Sequence, residues 1–297
     1  MKLIRDGVKN LLKPLVRISL ALAPQYVLEK AVSIRPALLP YIPENRKFVF
    51  RKYLGDISVN IDTVYKIERE MFTGSYEKET LYVINKYVKS GDTCFDIGAN
   101  VGPVSFALAK KAGSDGRVFA FEPGGFLFQR LTDNIKLNPS YAEIIKAYKI
   151  GFSDKIETLT WNEDKDNRGN AGFLLQKPNQ EEKIELITID DFFQKNKIEK
   201  VGFIKIDVEG MEYEVVKGAM NTIKKHKPIL YYETGFFEKG FWAERGRGEK
   251  VNLWIEEILK EIGYRIYKVE NNTVTETQYP DLSYNTLAMA PGFSQEY

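Results

Sequence analysis

Five short runs rich in β-branched and aromatic residues, separated by segments with apolar residues at helical spacing, restrict this chain's fold more than any other feature. The runs cover residues 93–98, 117–122, 144–151, 203–208 and 228–234, and the helical segments 101–112, 125–138, 211–224 and 250–262. Within the runs, FIKIDV and ILYYET lack strict alternation, the pattern of strands covered on both faces. Strands and helices in this alternation build a doubly wound α/β fold around a mostly parallel sheet. A sixth run at 264–269, a turn at Asn271-Asn272 and a last run near 286–290 complete a seven-stranded sheet ending in an antiparallel hairpin.

Two stretches depart from this rhythm. Between 156 and 189 the expected helix gives way to Thr-rich segments (IETLTW, AGFLLQ, KIELITI) around a polar turn, which predicts an inserted β-hairpin. After the fifth run, residues 235–249 (GFFEKGFWAERGRGE) are aromatic and Gly-rich, as expected of a substrate loop. Ahead of the sheet, 48–53 and 57–61 predict a small hairpin and 76–89 a helix. The expected organisation is an amino-terminal extension over 1–72 and one domain over 73–297, with no internal repeat.

The 297 residues suffice for a substantial core, and 43% hydrophobic with 28% charged residues excludes wholesale disorder. One cysteine, Cys94, and one histidine, His226, exclude an intramolecular disulfide and any Cys- or His-based metal centre. The net charge of +2 is unevenly distributed: residues 1–50 hold nine Lys or Arg and three Asp or Glu, leaving +6 there and −4 in the remainder. At about 100° per residue, Lys2, Arg5, Lys9, Lys13 and Arg17 share one helical face, opposite Ile4, Val8, Leu11, Leu15, Ile18 and Leu22. Arg17 leaves too short an apolar run for a signal peptide or a membrane span. Residues 1–34 therefore read as a basic amphipathic helix bent at Pro14, docking on the domain, packing in a homo-oligomer or lying on an anionic membrane surface. Residues 35–43 (RPALLPYIP) read as an extended linker. The expected location is cytoplasmic, with peripheral attachment to the inner face of the membrane.

Chemistry concentrates at the carboxyl ends of the five runs. GDTCFDIGANVGPVS places Asp96 at a strand end and glycines 98 and 102 at the turn into a helix, in the pattern D-x-G-x-x-x-G. A dinucleotide's pyrophosphate requires G-x-G-x-x-G, so a dehydrogenase reading fails. An acid at that position suits a ligand with a cationic amine, such as S-adenosylmethionine. Glu122, 24 residues past Gly98, ends the second run where a carboxylate can bind ribose hydroxyls. Ser153-Asp154 follow the third run, Asp207 and Glu209 the fourth, and Glu233 ends the fifth. Ligands of open α/β sheets bind outside these ends.

FDIGANVGPVS, FEPGGFLFQRLTDNIKLN, GFSD and IKIDVEGMEYEVVKGA, with SYEKET before them, resemble the FkbM family of S-adenosylmethionine-dependent methyltransferases over about residues 73–235. The resemblance implies a class I, Rossmann-like methyltransferase fold and O-methylation, in many members on a sugar hydroxyl of a polysaccharide, glycolipid or glycosylated metabolite. It implies that Asp96, Gly98, Asn100 and Gly102 hold the methionine end of the cofactor, Glu122 the ribose and Ser153-Asp154 the adenine. Glu77 would lie over the cofactor, and Ser105, Pro123 and Asp207 would complete the cofactor set. Pro103 stands where the family more often has an aromatic or small residue.

Methyl transfer to oxygen is an in-line displacement helped by a base, and the carboxylates Glu209, Glu233 and Asp207 are the catalytic candidates. His226 precedes the fifth run, at the wrong end of the sheet. Asp207, Glu233 and Asp190 are an alternative oxygen-ligand set for Mg²⁺. A nucleic-acid substrate is not expected: the body is acidic, Asp207-Val208-Glu209-Gly210 replaces the amino-methylating motif, and Cys94 lies inside a strand. The alternatives kept open are O-methylation of a lipid or phenolic small molecule, and an inactive cofactor-binding scaffold.

Overall fold

The computed structural model describes residues 46–163, 171–172, 180–233, 250–277 and 285–292. The basic amphipathic segment, the linker, the aromatic loop at 235–249 and most of the polar turn in the insertion lie outside the described residues. The chain forms two compact units that meet in sequence at Lys78 and Glu79. In the first, β1 (Lys47–Tyr53) and β2 (Ile57–Asp62) pair antiparallel as the expected hairpin, followed by α1 (Lys66–Thr73). Phe72 of this helix meets Phe48 and Phe50 edge-on, each with centroids 5.1 Å apart. Glu68, buried in its first turn, accepts the Asp62 N–H, and Gly74 at φ 67° ends it.

The second unit is built on an eight-stranded sheet in the order β13-β12-β14-β11-β10-β3-β4-β5. β3 (Thr93–Ile97), β4 (Arg117–Phe121), β5 (Ile145–Tyr148), β10 (Phe203–Ile206) and β11 (Ile229–Glu233) run parallel. β14 (Asn285–Met289) enters antiparallel between β11 and β12 (Arg265–Glu270). The turn at Asn271-Asn272 leads instead to an eighth strand at the edge, β13 (Thr273–Glu276), which sequence reading left out. The seven expected strands otherwise stand in place. Their order reverses between β3 and β10, the first and fourth of the parallel set, which opens a crevice at their carboxyl ends.

Helices α2 (Lys78–Tyr87), α3 (Pro103–Ala112), α4 (Gly125–Lys136), the short α5 (Pro139–Ala142) and α9 (Lys250–Glu261) accompany the sheet. Phe95, Phe121 and Phe152 from the strands surround Phe192 of α6 (Ile189–Lys195) with edge-on rings 4.9–6.1 Å apart. Burying one such ring contributes roughly 1.5–3 kcal/mol. The insertion forms its own four-stranded sheet: β6 (Gly151–Phe152) parallel to β9 (Gln180–Ile187), and β7 (Glu157–Glu163) antiparallel to β9 and to β8 (Ala171–Gly172). The crossover helix is thus delayed rather than replaced. α6 follows the insertion, its start fixed by Thr188 Oγ1 accepting the Asp191 N–H at 3.0 Å.

The single helix expected over 211–224 is two, α7 (Glu212–Lys217) and α8 (Met220–His226). Gly218 between them lies so close to the Ser153 carbonyl oxygen that a Cβ would stand 2.1 Å from it, and its own oxygen accepts the Asp190 N–H. Among the described residues no helix is long and apolar enough to cross a membrane.

Candidate active site

The crevice at the switch point is lined by two turns, one after β3 and one after β10. In the first, Gly98, Asn100 and Gly102 have φ of 78°, 52° and 96°, so three residues in five occupy the left-handed region. Gly98 cannot be replaced without displacing the second turn, because a Cβ there would stand 1.8 Å from the Asp207 carbonyl oxygen. Gly102 is the N-cap of α3, which explains Pro103: at the first helical position its missing N–H costs nothing and its fixed φ suits the helix.

Each expected cofactor residue has a definite place. Glu122, buried at the end of β4, accepts the Asn100 N–H through Oε2 and the Gly124 N–H through Oε1, both at 2.9 Å. It fixes the glycine turn from the side. Pro123 beside it is partly exposed. Asp96 has no exposed surface; it accepts a 2.5 Å hydrogen bond from the equally buried Ser105, and burial raises its carboxyl. Asp96 and Ser105 therefore brace the turn from inside. Ser153 is buried and donates to Glu157, whereas half-exposed Asp154 pairs with Lys217 at 2.6 Å. They follow β6 of the small sheet rather than a strand of the main one, so four of the five parallel strand ends, not all five, carry the acids. Glu77 belongs to the amino-terminal unit and has φ 35°, so it precedes α2 instead of standing within a helix from residue 76.

Lys205 was not among the sequence candidates, yet it joins the two turns. It sits opposite Asp96 in the pairing of β10 with β3, almost wholly buried. Its Nζ donates to the Gly98 carbonyl at 3.1 Å and lies 3.1 Å from Asp207 Oδ2 and 3.7 Å from Asp96 Oδ1. The signal was present in FIKIDV, where alternation puts Lys205 and Asp207 on one face.

Around the second turn the carboxyls of Asp207, Glu209, Glu212 and Glu233 crowd together. Glu209, at φ 54°, reaches solvent on one side, yet the protein packed around the rest desolvates it, and Asp207 and Glu212 add like charge; its carboxyl is raised to about 7 against the pull of Lys205. A carboxyl in that range can both take and release a proton near neutrality. Burial and Asp207, to which it is hydrogen-bonded, push Glu233 up to about 10. Glu212, a second residue missed in the sequence, is 1% exposed and raised to about 7, mainly by burial. Its Oε1 accepts the N–H groups of Val208 at 2.9 Å and Gly210 at 3.3 Å, so it holds the turn in shape.

Two expectations are corrected. Asp190 is no partner of Asp207 and Glu233; its carboxylate caps α8, accepting from Asn221 N, Thr222 N and Thr222 Oγ1 at 3.0, 2.8 and 2.6 Å. The acids that do come together are Asp207, Glu212 and Glu233, with one oxygen of each within 4.8 Å of the others. His226 ends α8 at the amino end of the sheet, as expected, but it is no freely solvated turn residue: its ring packs 4.6 Å from that of Phe193, and burial, then Lys225, lower its pKa. Cys94 is buried and its thiol is raised by desolvation.

Residues 96–266, more than half of the chain, match the model of the methyltransferase FkbM domain. This chain belongs to the FkbM methyltransferase family. The matched residues carry most of the Rossmann-like sheet described above. Over 150 residues, half of the chain, it is 27% identical to a hexuronic acid methyltransferase, AglP, of Haloferax volcanii. Over 153 residues, 41% of the chain, it is 26% identical to the methyltransferase sdnD of Sordaria araneosa. The match spans 58% of the length of each of these relatives. Among solved structures, the methyltransferase FkbM of Methylobacillus flagellatus aligns with a TM-score of 0.48 at 20% identity, covering 75% of this chain and 52% of that one.

Proposed function

We propose that this FkbM-family methyltransferase transfers the methyl group of S-adenosylmethionine to a hydroxyl of a sugar in a polysaccharide, glycolipid or glycosylated metabolite. The observation that carries the reading is the pairing, at one switch point, of a left-handed glycine turn braced by Glu122 and a turn crowded with carboxyls. The donor set fits S-adenosylmethionine: Glu122 is a carboxylate at the strand end where nucleoside-binding α/β folds hold ribose hydroxyls, and an acidic crevice suits a ligand bearing an ammonium and a sulfonium. When bound, the cofactor supplies an electrophilic methyl. The turn around Gly98, Asn100 and Gly102 would lie against its methionine end, with Ser153-Asp154 near the adenine.

Glu209 is the assigned base. It is the member of the carboxyl group that faces solvent, on a turn held by Glu212, whereas Glu233 is occupied with Asp207. With the cofactor bound, Glu209 would take up the proton of the acceptor hydroxyl as that oxygen gains the methyl group and the sulfur leaves with the bonding pair. The sugar class is supported by the hexuronic acid methyltransferase among the relatives. Calorimetric titration of S-adenosylmethionine with initial-rate kinetics tests the assignment. Glu209→Gln should bind cofactor as the wild type does and lose about 10²- to 10⁴-fold in kcat. Unchanged kcat would remove Glu209 from the base role.

A further inference from the structure

We propose that Asp207, Glu212 and Glu233 form a binding site for one hard divalent cation at the edge of the transfer crevice. This deepens the sugar-methyltransferase reading and rests on it for the use of the ion, though not for its binding. Three observations point to it. One oxygen from each carboxylate lies within 4.8 Å of the other two, contributed by the end of β10, the first turn of α7 and the end of β11. The elements that carry these residues are fixed independently of any ion: β10 and β11 by parallel pairing, and the turn before α7 by the two hydrogen bonds to Glu212 Oε1.

The second observation is Glu212 Oε2. It is buried, has no hydrogen-bond partner among the described residues, and belongs to a side chain 1% exposed whose other oxygen accepts from Val208 and Gly210. A carboxylate oxygen out of reach of water and left without a donor is costly unless something supplies a positive charge. Lys205 does not, because its ammonium is already divided among Asp207, Asp96 and the Gly98 carbonyl. The third is chemical. The ligand set is all oxygen, which selects Mg²⁺, Ca²⁺ or Mn²⁺ over softer metals. Opposite ligands of an ion bound at about 2.1 Å lie about 4.2 Å apart, and of one bound at about 2.4 Å about 4.8 Å apart, so oxygens within 4.8 Å of one another are close enough to share one ion of this class.

Three protein oxygens leave about half of the coordination shell for water or for acceptor oxygens. A cation there would hold a polyhydroxylated acceptor through adjacent hydroxyls or a carboxylate, within the same crevice as Glu209.

Binding of Mn²⁺ to the full-length protein, followed by electron paramagnetic resonance with Mg²⁺ and Ca²⁺ as competitors, tests the site. We expect one saturable ion per chain, displaced by the competitors. Glu212→Gln and Glu233→Gln should each weaken it by about tenfold or more, while Asp190→Asn should leave it unchanged. Glutamine retains the Oε1 acceptor for Val208 and Gly210; if circular dichroism shows that Glu212→Gln does not fold, Glu233→Gln decides. No saturable Mn²⁺, or Mn²⁺ affinity unaltered by the variants, overturns the proposal. Methyl transfer assayed with and without chelator, beside the Mn²⁺ titration, separates the two readings: ion binding without methyl transfer contradicts the function, and methyl transfer without ion binding contradicts the site.

Discussion

Lys205 shows how one residue can hold a functional site together. Its ammonium, almost without exposed surface, spans Asp96 inside the sheet and Asp207 at the crevice, and donates to Gly98 of the intervening turn. Removing one partner from a buried charge pair leaves the other uncompensated, at about 3–5 kcal/mol. Lys205→Met should lose stability on that scale in urea denaturation, and adding Asp96→Asn should recover part of it; independent, additive losses would mean the pair is not coupled. Gly98→Ala is expected to be worse for binding than for chemistry. Its Cβ must push the Asp207 carbonyl away from 1.8 Å, so cofactor affinity and melting temperature should fall together, and unchanged values of both would refute the close approach. At this scale much of the site was legible. Asp96, Gly98, Glu122 and Asp207 stand in a strand-end pattern that local sequence encodes. Lys205 and Glu212 were missed because their importance arises from burial between strands and turns distant in the chain, which no spacing within one segment reveals.

At the scale of elements, the strand runs were readable because strands buried on both faces must be continuously apolar. The breaks were not. Splitting α7 from α8 depends on Gly218 meeting Ser153, and the position of α6 depends on where the inserted sheet releases the chain at Thr188. Asp190, an alternative oxygen ligand beside Asp207 and Glu233 in the sequence, is a helix cap for the same reason: its partners are 31 and 32 residues away. Asp190→Ala should therefore cost about 0.5–2 kcal/mol in chemical denaturation without altering methyl transfer; a loss of turnover with stability retained would return it to the site. Glu256 on α9 gives this element a pH signature. Burial raises its carboxyl from 4.5 to about 7, against the opposing pull of Lys260, so the folded state holds a proton that the unfolded chain releases earlier. Its contribution is complete below pH 4.5 and is lost as pH rises through about 7, by up to about 3 kcal/mol. Glu256→Gln should flatten that decline in melting temperature between pH 5 and 8, and an unchanged profile would show that Glu256 is not its source.

On the scale of the whole molecule, charge and function divide along the chain. The +6 of residues 1–50 lies entirely outside the family match at 96–266, and the acidic remainder includes the carboxyls of the crevice. That division supports peripheral attachment of residues 1–34 to an anionic membrane, where lipid-linked glycans would be within reach. Deleting 1–34 should abolish co-sedimentation with anionic vesicles and leave cofactor affinity intact; co-sedimentation that survives would contradict membrane attachment through this segment. The activity proposed for the crevice is methyl transfer from S-adenosylmethionine to a sugar hydroxyl. Radiolabelled methyl donor incubated with separated cell-envelope glycans, lipids and small phenolic metabolites tests it directly. The label should enter the glycan fraction and be lost with Glu209→Gln. Label confined to lipids or phenolics, or none in any fraction despite measurable cofactor binding, would contradict it.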